Sequence, residues 1–121
     1  MQHKKALVVD CNDHSRELIR ILLEHEGYQT METGDALEAV ELASANSPDL
    51  ILIDLQMPRL EGYATAQKLR QSVRFKSVMV ALTGRELDSD QAQISAAGFT
   101  ACISKPVVLQ GLHERLSEIR A

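Results

Sequence analysis

Three short runs of unbroken apolar residues punctuate this chain: residues 6–9 (Ala-Leu-Val-Val), 50–53 (Leu-Ile-Leu-Ile) and 78–82 (Val-Met-Val-Ala-Leu). Each is too short for an ordinary helix and lacks an alternating polar face, the pattern of a strand buried on both sides of a parallel sheet. Between them the pattern becomes helical. Asn12 or Asp13 is a good N-cap, followed by Leu18, Ile19, Leu22 and Leu23 at helical spacing, with a stop before Gly27. Residues 28–33 alternate weakly around Glu32, as an edge strand does. Ala36, Ala39, Val40 and Ala43 form the inner face of a second helix, closed by Asn46-Ser-Pro48. Ala66, Leu69 and Val73 mark a third helix. Residues 89–97 make a fourth with a thin apolar face, Ile94 and alanines, so it is the element expected to move most readily. Residues 99–104 predict a fifth strand before Lys105-Pro106. Leu109, Leu112, Leu116 and Ile119 carry the last helix.

Strand and helix thus alternate five times with short connections. That order predicts an α/β fold with right-handed crossovers and helices on both faces of a parallel sheet. Without dinucleotide-binding glycines, the expected form is the flavodoxin-like (βα)5 three-layer sandwich with strand order 2-1-3-4-5. The first and third strands then lie side by side, and Asp10 and Asp54 end on one rim.

The 121 residues suit one domain with a core of its own, spanning residues 1–121. A formal net charge of −4 gives no electrostatic case for direct binding to nucleic acid or to an anionic membrane surface. No apolar stretch reaches membrane-spanning length and the N-terminus lacks a signal peptide's apolar block, so a cytoplasmic location is expected. Cys11 and Cys102 form no C-x-x-C pair and are expected to stay free thiols. His3, His14, His25 and His113 have no metal-ligand spacing.

The strand ends carry the chemistry. Asp10, Asp54, Thr83 and Lys105 close the first, third, fourth and fifth strands. Taken singly, each has an ordinary structural role: a turn-capping carboxylate, a strand-end hydroxyl, a solvated lysine. Together on one rim they make a different case. Two adjacent carboxylates repel unless a cation lies between them, and Mg²⁺ suits such oxygen donors. A carboxylate can attack phosphorus, giving an aspartyl phosphate. The transferred group then needs positive charge and hydrogen-bond donors, which Lys105 and Thr83 supply.

Val8-Val-Asp10, Asp54-x-x-Met57-Pro58-x-x-x-Gly62, Ala81-Leu-Thr83 and Lys105-Pro106 resemble the signature of response-regulator receiver domains of two-component phosphorelay signalling. The resemblance covers essentially the whole chain. It implies a phosphoacceptor at Asp54, loaded from a phosphohistidine on a sensor histidine kinase or phosphotransfer protein. It implies Mg²⁺ held by Asp10, Asp54 and the backbone carbonyl of Gln56, and phosphoryl oxygens gripped by Thr83 and Lys105. Its output is changed affinity for a downstream domain or protein, with homodimerisation a further option. The wording around Asp54, with Asp10-Cys-Asn12-x-x-Ser-Arg16, is most similar to receivers of hybrid sensor kinases.

Two positions depart from the pattern. Cys11 stands where a second acidic residue is usual, and a thiol is a poor Mg²⁺ ligand. Cys102 stands where the family carries a switching aromatic. Both departures favour a second reading, a pseudo-receiver that binds proteins without phosphotransfer, while retention of Asp10, Asp54, Thr83 and Lys105 opposes it. A phosphohydrolase built on an Asp nucleophile fits least, because the general-acid position two residues after Asp54 is Gln56.

Overall fold

The computed structural model describes residues 4–55, 61–71, 77–84 and 91–120. Among these residues ten elements alternate as expected: β1 (Lys4–Val9), α1 (Asp13–His25), β2 (Tyr28–Thr33), α2 (Ala36–Asn46), β3 (Leu50–Asp54), α3 (Glu61–Arg70), β4 (Val78–Thr83), α4 (Gln91–Ala96), β5 (Ala101–Ser104) and α5 (Leu109–Arg120). The five strands form one parallel sheet in the order β2-β1-β3-β4-β5. This is the flavodoxin-like arrangement the sequence predicts.

The unbroken apolar runs are explained by burial on both faces. Ala6, Val8, Leu50, Leu52, Val80 and Leu82 face one layer with Ile19 and Leu23 of α1 and Leu112 and Leu116 of α5. Leu7, Val9, Ile51, Ile53, Met79 and Ala81 face the other, with Ala39 of α2, Ala66 and Leu69 of α3, and Ile94 of α4. Alternate residues of a strand point to opposite faces, so a strand covered twice must be apolar throughout.

Helix ends follow local chemistry. Asn12 caps α1, its side chain accepting from the Ser15 amide, and Asp35 caps α2 by accepting from Glu38. Two helix faces differ from expectation. Leu18 is 45% exposed and Leu109 38% exposed, while Leu22 and Ile119 only border the core. The stripe of α1 is centred on Ile19 and Leu23, one residue's rotation away from Leu18. The fifth strand begins at Ala101, and Phe99 is buried just ahead of it. Val73, expected on α3, and Ser89, expected on α4, lie outside the described residues.

Candidate functional site

Register brings the strand ends together. Val9 pairs with Ile53, so Asp10, the next residue, arrives beside Asp54. Asp54 pairs with Leu82, and Thr83 pairs with Ser104, so Lys105 follows one step later on the same rim. The Asp10 amide donates to the Thr33 carbonyl and the Lys105 amide to the Thr83 carbonyl, which fixes both chain exits.

Asp10, Asp54 and Thr83 are all buried polar residues. A buried carboxylate is costly unless compensated, and the compensation here is dense. Asp10 Oδ1 accepts from the Asn12 amide at 2.9 Å. Its Oδ2 accepts from the Ser15 hydroxyl at 2.7 Å and faces Lys105 Nζ at 2.7 Å. The same ammonium donates to Asp54 Oδ2 at 3.0 Å. Lys105 therefore bridges the two carboxylates.

Protonation follows from this geometry. Burial pushes the Asp10 carboxyl up, but the bonds from Lys105, Asn12 and Ser15 and the lysine's charge outweigh it, leaving the group below its usual 3.8. Burial likewise pushes Lys105 down. Its bonds to Asp10 and Asp54, and their charges, overcome that and hold it above its usual 10.5. The resting site is an ionised bridge.

Thr83 differs from the other three. Its Oγ1 is buried with no hydrogen-bond partner among the described residues, an expensive state for a hydroxyl. Cys11 is exposed at the end of β1. Its Sγ and a carboxylate oxygen from each of Asp10 and Asp54 all lie within 4.8 Å of one another. Two buried hard oxygen donors fit a divalent cation, and the third position is soft. Gln56, whose carbonyl the resemblance implicates, lies outside the described residues. Cys102 sits on β5, separated from β1 by two strands, where burial pushes its thiol up against the pull of Arg115.

The family match is direct. The response regulator receiver domain family matches residues 6–117. The chain belongs to that family. The polar-differentiation response regulator DivK of Brucella ovis is 34% identical over 105 residues, covering 86% of this chain and 85% of the relative. The chemotaxis protein CheY4 of Vibrio cholerae superposes with a TM-score of 0.90 over 98% of this chain and 99% of that one, at 24% identity, a likeness of fold. The receiver domain of the sensor histidine kinase PA1611 of Pseudomonas aeruginosa, solved with a magnesium ion in its active-site cleft, superposes at TM-score 0.84 and 26% identity over 97% of both chains. Receiver domains are regulatory signalling domains that work with histidine kinases and downstream effectors. Among the described residues, no helix of this receiver is long and apolar enough to cross a membrane.

Sequence reasoning gave Ser15, Asn12 and Arg16 no role at the site, although all three fall inside a quoted motif. Ser15 and the Asn12 amide hold the Asp10 carboxylate. Arg16 donates to the Asp10 carbonyl at 2.7 Å, to Glu32 Oε1 at 3.0 Å and to Asp13 Oδ1 at 2.7 Å, tying β1, β2 and α1 together. The available signal was their position at the start of a helix directly after the strand-end carboxylate.

Proposed function

We propose that this receiver is a phosphoacceptor switch in which Asp54 takes a phosphoryl group from the phosphohistidine of a sensor kinase or phosphotransfer protein. The observation that carries it is the Lys105 bridge, which holds a buried Asp54 beside Asp10 with Lys105 3.0 Å away. One Asp54 carboxylate oxygen attacks phosphorus. The P–N bond to the donor imidazole breaks, its electron pair returns to nitrogen, and the nitrogen takes up a proton. Asp10, Asp54 and the Gln56 carbonyl would hold Mg²⁺, which neutralises charge on the transferring group. Lys105 then passes from the Asp54 carboxylate to a phosphoryl oxygen, a shift between two acceptors of like charge. Thr83 donates its unpartnered hydroxyl to another.

Satisfying that hydroxyl draws the end of β4 inward, and α4 is the next element among the described residues. This is the route from phosphorylation to altered partner affinity. A pseudo-receiver gains nothing from a buried ionised cluster of this kind. The proposed setting is cytoplasmic, with the receiver occupying residues 1–121 as one domain. Similarity runs both to DivK and to the receiver of a sensor kinase, so it supports the family rather than the hybrid-kinase subtype. Incubation with a small phosphodonor and Mg²⁺, then borohydride reduction and peptide mapping, tests the assignment. Reduction should convert Asp54 to homoserine. A modified residue elsewhere, with Asp54 intact, contradicts it.

A further inference from the structure

The strand-end rim beside Asp54 carries a sulfur atom, that of Cys11, and sulfur discriminates between classes of cation. Asp10 and Asp54 are buried, and Asp10 is anchored through both carboxylate oxygens by Asn12 and Ser15. Cys11 lies two residues past β1 and is exposed, with its Sγ inside the same 4.8 Å cluster as the two carboxylates. Two further observations point to a ligand here. The buried Thr83 hydroxyl lacks a partner among the described residues, and the similar PA1611 receiver holds a magnesium ion in its cleft.

We propose that Asp10, Cys11 and Asp54 form a mixed oxygen–sulfur site that takes a borderline divalent cation of the cobalt and zinc class in preference to Mg²⁺. The proposal rests on the reading of Asp10 and Asp54 as a metal pocket, and specifies which metal that pocket prefers. Mg²⁺ is hard, keeps its waters and gains almost nothing from sulfur. Borderline cations bind thiolate at about 2.3 Å and carboxylate at about 2.0–2.2 Å, which sets donor atoms about 3.5 Å apart. The three donor atoms already lie within 4.8 Å of one another, so closing on a cation needs at most about 1.3 Å, and the exposed Cys11 side chain is the donor least held by its surroundings. As the metal–sulfur bond forms, the thiol proton passes to solvent. Lys105 competes with either class of cation for the same carboxylates, so the sulfur alone sets the preference.

Cobalt(II) tests this on the intact protein, because a cobalt–thiolate bond gives a near-ultraviolet charge-transfer band. Titrations under a non-chelating reductant would follow that band and the thermal midpoint in wild type, Cys11→Ser and Cys102→Ser, with parallel Mg²⁺ melts. The expected result is a band in wild type and Cys102→Ser that is lost in Cys11→Ser. Cobalt affinity should fall at least about tenfold in Cys11→Ser, the scale of losing a supporting ligand contact, while its Mg²⁺ response is unchanged. A band missing from wild type, a band that survives in Cys11→Ser, or equal weakening of cobalt and Mg²⁺ would each overturn the sulfur ligand. If neither cation moves the wild-type midpoint, the carboxylate pocket itself is refuted, and this proposal falls with it.

Discussion

Lys105 Nζ stands 3.0 Å from Asp54 Oδ2, and its second contact at 2.7 Å ties the same ammonium to Asp10. The lysine thus serves as the cation between two buried carboxylates. Removing it by Lys105→Ala should cost about 3 kcal/mol in chelator, the low end for breaking a buried pair because the lysine keeps 20% of its side chain exposed. Added Mg²⁺ should then recover more stability in the variant than in wild type, since the divalent ion no longer competes with an ammonium. Urea midpoints with chelator and with Mg²⁺ measure both effects. Equal Mg²⁺ gains would show that lysine and metal do not share the site.

The same bridge sets a pH signature. Asp10 lies below 3.8 in the folded state, so its contribution is full above 3.8 and disappears as pH falls through the lowered value. Lys105 lies above 10.5, so its contribution is full below 10.5 and disappears as pH rises through the raised value. Ser15→Ala removes one donor that depresses Asp10 and should cost about 1 kcal/mol at neutral pH. That cost should shrink as Asp10 protonates. Urea midpoints of the two proteins across the acid range check this, and a difference that stays constant in acid would contradict it.

Restoring the carboxylate absent at position 11 should change the metal response in two directions. Cys11→Asp adds a hard ligand beside Asp10 and Asp54 and should tighten Mg²⁺ binding by about one to two orders of magnitude, the scale of a charge-assisted contact of roughly 1–3 kcal/mol. In chelator it should be less stable than wild type, because three crowded carboxylates repel. Thermal melts under the two conditions give both signs. No larger Mg²⁺ shift than wild type would place the metal away from position 11.

Gly62 explains a motif position that no side-chain chemistry accounts for. A Cβ there would lie 2.6 Å from the Asp54 carbonyl oxygen and 2.9 Å from Leu55 Cα. Both are backbone atoms, so α3 must move off the strand end to admit a methyl group. Gly62→Ala should therefore cost about 1–3 kcal/mol as an overpacking change, even though alanine is the better helix former. Chemical denaturation measures it. A stability equal to or above wild type would show that α3 yields freely.

The sheet was legible because burial on both faces leaves no polar position in the runs 6–9, 50–53 and 78–82, which form the cores of β1, β3 and β4. The site was legible because its members are strand-end residues, and parallel register carries strand ends to one rim. The helix faces were less so. Leu18, Ile19, Leu22 and Leu23 form a stripe wide enough to be centred in two ways, and only contact with the sheet chooses Ile19 and Leu23. The supporting donors were missed for a related reason. Helical spacing says nothing of Ser15 and Arg16, and only the fold turns the first turn of α1 back onto Asp10.

Whether Asp54 is the phosphoacceptor is decided by intact mass after incubation with a small phosphodonor. Wild type should gain a single phosphoryl group in the presence of Mg²⁺ and far less in chelator. Asp54→Asn, nearly isosteric and still folded, should gain none. Labelling that persists undiminished in Asp54→Asn, or wild type that stays unlabelled with Mg²⁺ present, would contradict the account.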